Sequence, residues 1–373
     1  MGAPQRILIV NPFGIGDVLF TTPLIRAVRR AFPSSRLGYL CNRRTEMILL
    51  GNPHLDEVFV YEKDELDRLW RASWRRGMAY LWALMRGIRR GAFDLAIDLS
   101  LGERYSFILW GLGVGRRIGF NYRQRGRFLT DSLSIEGYQD HHVVDYYRQL
   151  LRFIGIELLE PSLELCVAPG DEQWAEQWLA QRQLDRGQLL VGMVPAGGVS
   201  WGINASFRRW GFEGFAAVGD ALAQRYRAQL VLFGEAADRP ACKAVAQLMR
   251  HPAIDVSGQT TLGQFVSLLG RLSLVICNDG GPLHLAVSQR VKTVSIFGPV
   301  DPEVYGPFPQ TRDHRIVCKT DLLCRPCYHQ FRLPPCPYER ACLTMIEPDE
   351  VLEACHAVLG SEAAAVASSE ARA

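Results

Sequence analysis

Short apolar runs that alternate with helical stretches are the feature that most limits the fold of this chain. Residues 6–10 read RILIV, and the loop NPFGIGD and a stretch with apolar residues at helical spacing follow at once. The first half carries further runs of this kind, with helical stretches between them, at residues 36–41, 57–61, 93–99 and 118–120. Apolar strands joined by helices form parallel sheets that are covered on both faces. The first half is therefore predicted to be a doubly wound α/β domain.

The second half repeats this pattern. Its strands are predicted at residues 189–194, 229–233, 274–277 and 293–297, and its helices at residues 212–225, 240–249, 262–269 and 282–287. Two such halves facing each other would form a cleft between the carboxyl ends of their sheets, where ligands bind in these folds. We therefore predict an α/β protein with two facing Rossmann-like doubly wound domains and an interdomain cleft.

The boundary between the halves is predicted from a loss of periodicity. Residues 157–171 contain Pro161 and Pro169, and an acidic and aromatic helical stretch follows them. The Ala- and Ser-rich end of the chain shows no core pattern. We predict a first domain over 1–165, a linker and connecting helix over 166–187, a second domain over 188–358 with a Cys-rich segment at 318–342, and a disordered tail over 359–373.

Composition indicates a globular protein that stays out of the bilayer core. A net charge of +3 is too small to indicate a nucleic-acid partner. No apolar run is long enough to span a membrane, and the first residues lack the layout of a secretory signal. We therefore expect a cytoplasmic location. The basic stretch over 66–90, which carries Trp70, Trp74 and Trp82, is either an exposed helix face or a peripheral contact with the inner membrane.

A strand-to-helix turn at residues 278–282, Asn-Asp-Gly-Gly-Pro, predicts an anion site. Free backbone N–H groups and the positive end of a helix dipole suit a phosphate, and Gly280 and Gly281 let an anion approach the backbone closely. Pro282 fits the first helical turn, where no N–H group is needed. His284, one turn further on, is either a packed residue or part of the site. The turn indicates a phosphorylated small-molecule ligand.

The first glycine loop resembles no standard nucleotide fingerprint. Gly14 and Gly16 stand in it, but the third glycine of a dinucleotide-binding loop and the Lys-Ser/Thr of a P-loop are missing. Asp17 follows at the start of a helix. It either caps that helix or presents a carboxylate as a general base.

Two further strand ends in the second half carry charged residues. Pro195 and Gly197 follow the strand at 189–194, and Arg208 and Arg209 come after them. These arginines lie on a solvated edge or clamp a diphosphate through forked hydrogen bonds. Glu235 and Asp238 follow the strand at 229–233 and either bind the ribose hydroxyls of a nucleotide or stabilise a helix start.

Three segments in order resemble glycosyltransferase family 9, the heptosyltransferases of lipopolysaccharide core synthesis. They are NPFGIGDVLFTTPLIRAVR, the Arg-Arg-Trp segment, and NDGGPLHLAVSQRVKTVSIFGPVDPEVYGPF. The resemblance implies a GT-B fold with an acceptor-binding first half and a nucleotide-sugar-binding second half. It implies an enzyme that transfers heptose, or a related sugar, from ADP-heptose to a lipid-linked lipopolysaccharide core acceptor. It also implies inversion at the anomeric carbon and no metal requirement, and no Asp-x-Asp metal pair stands at a strand end.

The resemblance also implies roles for individual residues. Asp17 matches the proposed base that deprotonates the acceptor hydroxyl, and Arg208 stands where the family has a Lys before Arg-Trp. Asp238 aligns with the family's acid near the ribose, and Gly280 replaces a small hydroxyl residue of the family motif. The predicted substrate-binding residues are Gly14, Gly16, Thr21, Thr22, Pro195, Gly197, Arg209, Asp238, Asp279, Gly280, Gly281, Pro282 and His284.

Five of the ten cysteines fall in the Cys-rich segment with the spacing C-x5-C-x2-C-x8-C-x5-C: Cys318, Cys324, Cys327, Cys336 and Cys342. A Cys-x2-Cys pair with further cysteines nearby is a zinc or iron–sulfur signal, so a structural metal and free thiols both stay open. A rival hypothesis is a non-catalytic nucleotide-sugar-binding protein in which this segment supplies a metal-stabilised interaction surface. The carboxylate of Asp17 beside Gly14 and Gly16 argues against that rival.

Overall fold

The computed structural model describes residues 3–184, 187–197 and 199–369. The chain divides after Cys166 into two compact units, each built on its own six-stranded sheet. The strands of the first unit are β1 (Arg6–Val10), β2 (Arg36–Cys41), β3 (Glu57–Val60), β4 (Leu95–Asp98), β5 (Arg116–Tyr122) and β6 (Asp131–Ile135). Those of the second are β7 (Leu190–Val194), β8 (Gln229–Leu232), β9 (Ala253–Asp255), β10 (Leu274–Asn278), β11 (Thr293–Ile296) and β12 (His314–Val317).

Helices connect the strands in both units. In the first unit they are α1 (Ile15–Leu19), α2 (Thr22–Ala31), α3 (Glu46–Leu49), α4 (Lys63–Ala72), α5 (Trp74–Gly91), α6 (Glu103–Gly111) and α7 (Val143–Leu151). In the second they are α8 (Pro169–Gln181), α9 (Phe212–Tyr226), α10 (Arg239–Leu248), α11 (Leu262–Leu269), α12 (Gly281–Ser288), α13 (Pro302–Tyr305), α14 (Ala341–Thr344) and α15 (Pro348–Ser369). Short 3-10 helices lie at Arg43–Thr45, Arg152–Ile154, Val199–Arg208 and Ala236–Asp238.

The two sheets have the same topology. The strand order is β3-β2-β1-β4-β5-β6 in the first, and β9-β8-β7-β10-β11-β12 in the second when it is read from the β9 edge. All of these pairings are parallel, with Ile7 of β1 opposite Leu37 of β2 and Leu95 of β4, for example. The strand order reverses between β1 and β4 and between β7 and β10. In open parallel sheets, ligands bind at the carboxyl ends of the strands at such switch points.

The predicted interior strands are present with bounds within two residues, and the strands that the sequence did not predict all lie at sheet edges. The edge strands β6, β9 and β12 are only partly buried, whereas every residue of β4, β7, β10 and β11 is buried. An edge strand has one neighbour and need not be apolar on both faces, so the apolar run that marks an interior strand is missing there.

Each sheet has its own core. In the first unit, one cluster joins Leu8 and Ala96 of the sheet to Ile88 of α5 and Leu109 of α6, so these two helices cover the same sheet face. In the second unit, α15 packs its buried side, including Cys355, against the sheet. The backbone of α15 breaks at Gly360 (φ 58°), and residues 370–373 of the predicted tail lie outside the described residues.

Candidate active site

The loop after β1 is held at the carboxyl edge of the first sheet by two asparagines. Asn11 is buried; its Nδ2 donates to the carbonyl oxygen of Asp17 (3.1 Å), and its Oδ1 accepts from the N–H of Phe13 (3.1 Å). Asn42, beyond β2, donates to the carbonyl oxygens of Pro12 (3.0 Å) and Phe13 (2.6 Å). The loop backbone is therefore tied to two strand ends, which fixes the start of α1.

Asp17 lies in this fixed position and caps its own helix. Its Oδ2 accepts a hydrogen bond from the N–H of Gly14 at 3.1 Å, and the residue is half-buried. Burial first, and then the negative charge of Asp17, raise the pKa of the buried Tyr138 well above its ordinary value. Burial, Tyr138 and Asp17 also raise the pKa of Tyr147. Asp17 is thus a partly accessible carboxylate close to tyrosine hydroxyls that stay protonated.

Thr21 and Thr22 do not fit the substrate-binding role predicted for them. Both are fully buried, and their hydroxyls donate to the carbonyl oxygens of Val18 (2.6 Å) and Leu19 (2.8 Å). Thr22 also accepts from the N–H of Glu164 at 3.0 Å. Side chains with no exposed surface cannot contact a substrate, so these two residues hold the start of α2 in the core instead.

In the second unit, Asn278 connects three segments at the end of β10. Its Nδ2 donates to the carbonyl oxygen of Pro195 (3.0 Å), which follows β7, and its Oδ1 accepts from the N–H of Trp210 (2.9 Å). Trp210 is buried and donates through Nε1 to the carbonyl oxygen of Ile346 (3.0 Å). A Cβ added to Gly214 would lie 2.3 Å from the indole ring, so only glycine leaves room for this packing. Trp210 therefore anchors the two arginines that precede it.

Arg208 lies beside a buried acid at the carboxyl end of β10. Its Nη2 is 2.5 Å from Oδ2 of Asp279, whose side chain is 2% exposed. Burial raises the pKa of Asp279, and the positive charge of Arg208 acts in the opposite direction. This ion pair holds a guanidinium beside the glycine turn. Because the surroundings are buried and their dielectric constant is low, the guanidinium interacts with a nearby charge more strongly than it would in water.

Arg209 is directed to the neighbouring strand ends. Its Nε and Nη2 both donate to the carbonyl oxygen of Gly197 (2.9 and 2.8 Å), and Nη2 lies 3.4 Å from Oδ1 of Asp238. Asp238 is buried, and its Oδ2 accepts from the N–H of Glu235 (3.1 Å). Of the two roles predicted for these acids, Asp238 therefore fits the stabilisation of a helix start. Glu235 is the acid beyond β8 that is exposed.

The predicted strand-to-helix turn is present after β10. Gly280 has φ 154° and ψ −172°, which favours glycine, and α12 begins at the next residue with Pro282 in its first turn. The N–H groups of a first helical turn have no acceptor within the helix, so this end of α12 has the polarity that binds phosphate. His284 is buried at 4% exposure, which favours the packing interpretation for it.

The Cys-rich segment follows β12 at this same edge of the second sheet, and its Arg340 donates to the carbonyl oxygen of Ser206 at 2.9 Å. Cys324, Cys327, Cys336 and Cys342 line a small cavity of about 110 Å³, and Arg325 ties the segment to the carbonyl oxygens of Gly298 (2.5 Å) and Val300 (3.2 Å). Burial, followed by the other thiols, raises the pKa of Cys342 to about 11. Among the residues with assigned positions, no three or more His, Cys, Asp or Glu side chains are arranged to hold a metal ion.

Several contributors to the site were not predicted from the sequence. Tyr138 lies in a segment without periodicity, and nothing local marks its proximity to Asp17. Asn42 follows β2 just as Asn11 follows β1, and a polar residue directly after a buried strand was the available signal. For Glu235 and Asp238, only the fold reveals which of the two side chains is exposed.

Comparison with known proteins places the chain in a family. The model of glycosyltransferase family 9 (heptosyltransferase) matches residues 81–335, more than half of the chain. The chain is 29% identical to lipooligosaccharide heptosyltransferase 2 of Campylobacter jejuni over 354 residues, which cover 94% of this chain and 98% of that protein. Within the described residues, no helix is both long and apolar enough to cross a membrane.

Two solved structures share the fold. A glycosyltransferase family 9 protein from Veillonella parvula has a TM-score of 0.80 at 23% identity and covers 96% of this chain and 98% of its own. Escherichia coli ADP-heptose lipopolysaccharide heptosyltransferase II has a TM-score of 0.72 at 21% identity and covers 96% and 99%. The predicted GT-B fold class is confirmed, and the non-catalytic alternative is not supported. The chain is a glycosyltransferase and belongs to glycosyltransferase family 9.

Proposed function

We propose that this enzyme transfers a heptose, or a closely related sugar, from ADP-heptose to a lipopolysaccharide core acceptor, with inversion at the anomeric carbon. The observation that carries the proposal is the second-unit strand edge, where Arg208, held by Asp279, lies beside the start of α12. This edge offers a fixed cation and backbone N–H groups to a diphosphate. Family membership and the names of the relatives supply the sugar and the acceptor class.

On the donor side, the edge residues stabilise the leaving group. As the bond between the anomeric carbon and the diphosphate oxygen breaks, negative charge grows on the departing ADP. Arg208 and the N–H groups at Gly280 and Gly281 stabilise that charge. Arg208 is anchored through Trp210 and Asn278, so little reorganisation is needed when the charge develops.

On the acceptor side, Asp17 acts as the general base. The acceptor hydroxyl loses its proton to the carboxylate while its oxygen forms the new bond to the anomeric carbon, opposite the leaving diphosphate. The displacement inverts the configuration in one step. The hydrogen bond from Gly14 orients the carboxylate, and its half-buried position keeps it within reach of a substrate.

For the nucleotide ribose, we propose Glu235 in place of the Asp238 that the resemblance suggests. Asp238 is buried and already accepts from Arg209 and the N–H of Glu235. Glu235 is exposed at the carboxyl end of β8, next to the loop that carries Gly197. An exposed carboxylate can accept hydrogen bonds from the two ribose hydroxyls.

We propose that the reaction needs no metal, because arginine and a helix start supply the positive charge that a diphosphate requires. For the Cys-rich segment, two states stay open, free thiols or a structural zinc or iron–sulfur cluster, and elemental analysis of the purified protein distinguishes them.

We further propose a cytoplasmic enzyme that works at the inner membrane surface, where a lipid-linked acceptor lies.

The test is a turnover assay with ADP-heptose and a core-oligosaccharide acceptor, followed by NMR of the product linkage. We expect acceptor-dependent ADP release, an anomeric configuration opposite to that of the donor, and unchanged activity after EDTA treatment. Retention of the donor configuration would contradict the inverting mechanism. Activity lost with EDTA and restored by a divalent cation would contradict the metal-independent step, and activity with another nucleotide sugar only would reassign the donor.

A further inference from the structure

Large apolar side chains are exposed on one face of the first unit. Trp74, Met78 and Trp82 recur every four residues along α5, and the two tryptophans are 64% and 60% exposed. The helix packs through other positions, including Gly77 and Ile88, which are buried. The exposed stripe is therefore not needed for the core, because α5 already buries a different side.

The exposed stripe stands on a well-braced helical hairpin. Trp70 of α4 lies over Gly77 of α5, where an added Cβ would come within 2.6 Å of the indole ring. The hydroxyl of Tyr80 accepts from the N–H of Glu62 at 2.9 Å, which fixes α5 to the start of α4. The stripe is therefore presented by a rigid element rather than by a loose segment.

Arginines accompany the apolar stripe, and α5 contains no acidic residue. The guanidinium of Arg86 lies 4.7 Å from the ring centre of Trp82, and that of Arg75 lies 5.7 Å from the ring of Trp74. The five arginines of α5, all exposed, are Arg75, Arg76, Arg86, Arg89 and Arg90. Five positive charges around exposed indoles complement an anionic surface that is apolar beneath.

A second helix adds to the same side of the sheet. Phe107 and Trp110 of α6 are exposed, and their rings lie 5.0 and 5.6 Å from the ring of Phe128. Because α5 and α6 share one core cluster, both cover the same sheet face with their outer sides away from it. We call Trp74, Met78, Trp82, Phe107 and Trp110, with the arginines of α5, the tryptophan–arginine face.

Among the second-unit residues whose burial is described, no such concentration is present. Among the residues whose burial is described, all four tryptophans with large exposure lie between residues 70 and 110, and Trp178 and Trp210 of the second unit are buried. Indole rings prefer the headgroup level of a bilayer. Each arginine near an anionic membrane surface strengthens the binding of a protein to that membrane about fivefold. A folded protein partner would need a matching acidic and apolar surface, whereas a bilayer provides both properties in one plane.

We propose that the tryptophan–arginine face docks the enzyme on an anionic lipid bilayer, with the indoles of α5 and α6 at the headgroup level and the arginines paired with lipid phosphates. This placement holds the first unit at the surface where a lipid-linked acceptor is embedded. The proposal rests on the proposed function only for that purpose, since lipid binding itself does not depend on turnover.

The experiment measures sedimentation of the full chain with two kinds of vesicle, phosphatidylcholine alone and an equal mixture of phosphatidylcholine and phosphatidylglycerol. We expect binding to the mixed vesicles only, weakened by added salt. The double substitution Trp74→Ser and Trp82→Ser should lower this binding at least tenfold, and Arg86→Ala with Arg89→Ala should lower it on the order of tenfold. The control changes two apolar residues of the second unit that are each 48% exposed, Leu248→Ser and Met345→Ser, and should bind like the unchanged chain.

Three outcomes would overturn the proposal: no binding of the unchanged chain to mixed vesicles, equal binding by the tryptophan variant, or equal loss in the control. A dimer of the unchanged chain that the tryptophan variant abolishes in sedimentation velocity would instead assign the face to a second copy of the chain. Turnover with a soluble delipidated acceptor should be the same in all of these folded variants. Absent turnover alongside normal lipid binding would overturn the proposed function but leave the docking surface intact.

Discussion

The two units share one strand order, yet their switch points carry opposite chemistry. In the first sheet, Asp17 lies in α1 after the loop that follows β1, and β4 ends at the buried acid Asp98, whose Oδ1 accepts from the N–H of Ser100 at 2.9 Å. In the second sheet, the acid that directly follows β10, Asp279, is paired with Arg208. The same frame therefore presents a carboxylate in one unit and a guanidinium with helix N–H groups in the other. The chemical groups at each switch point therefore depend on the loops and on what the buried acids are paired with, and not on the strand order.

The largest effect is expected from the carboxylate of the first unit. Asp17→Asn should lower kcat about a thousandfold, because the amide keeps the hydrogen bond to Gly14 but cannot accept the acceptor proton. Calorimetry should show unchanged donor binding. Glu103→Gln, at the start of α6 after β4, is the matched acid and should retain normal turnover. Comparable kcat in the Asp17 variant would remove the proposed base.

The guanidinium of the second unit should produce the next largest effect. Arg208→Gln should lower kcat/KM about a hundredfold and also weaken donor binding, because the diphosphate loses its fixed cation. Arg208→Lys should recover much of the loss, since a positive charge is kept. Steady-state kinetics with varied donor measure both. Equal losses in the Gln and Lys variants would indicate that the forked geometry, and not the charge, is required.

The two buried acids provide a stability test of the comparison. Burial raises the pKa of Asp98 from 3.8 to about 6, so the folded state holds a proton that the unfolded state releases between these pH values. Stability falls as the pH rises through that window and stays lower above it. Asp98→Asn should therefore raise the free energy of unfolding at pH 8 by about 3 kcal/mol, and have little effect near pH 4.

Asp279→Asn is the counterpart in the second unit and should not stabilise the protein. It leaves Arg208 without its buried partner, and losing one member of a buried pair costs about 3–5 kcal/mol. Thermal and urea unfolding of both variants across pH measure the difference. A stabilising Asp279→Asn would mean that Arg208 does not depend on this acid.

The smallest effect separates the two acids beyond β8. Glu235→Gln should raise the donor KM about tenfold with little change in kcat, because ribose contacts act equally in the ground and transition states. Asp238→Ala should act mainly on stability, by about 1–3 kcal/mol, since Arg209 and the N–H of Glu235 lose an acceptor. A higher donor KM in the Asp238 variant, with an unchanged KM in the Glu235 variant, would instead identify Asp238 as the ribose ligand.

Sequence reasoning predicted the frame better than the site. Apolar runs marked the interior strands, because both faces of a parallel sheet must be covered, but not the half-exposed β6, β9 and β12. Motif position suggested Thr21 and Thr22 as substrate ligands, although their hydroxyls are satisfied within the core. Whether a polar side chain faces a ligand or its own helix depends on packing, which the local sequence does not encode.

The proposed assignment of acceptor chemistry to the first unit and donor binding to the second is tested most directly by calorimetry with ADP-heptose, together with turnover of the same samples. The unchanged chain should bind the donor and release ADP only with a core acceptor. Asp17→Asn should bind the donor equally well without turnover, and Arg208→Gln should lose most of the binding itself. Donor binding lost in the Asp17 variant and kept in the Arg208 variant would contradict the assignment of acceptor chemistry to the first unit and donor binding to the second.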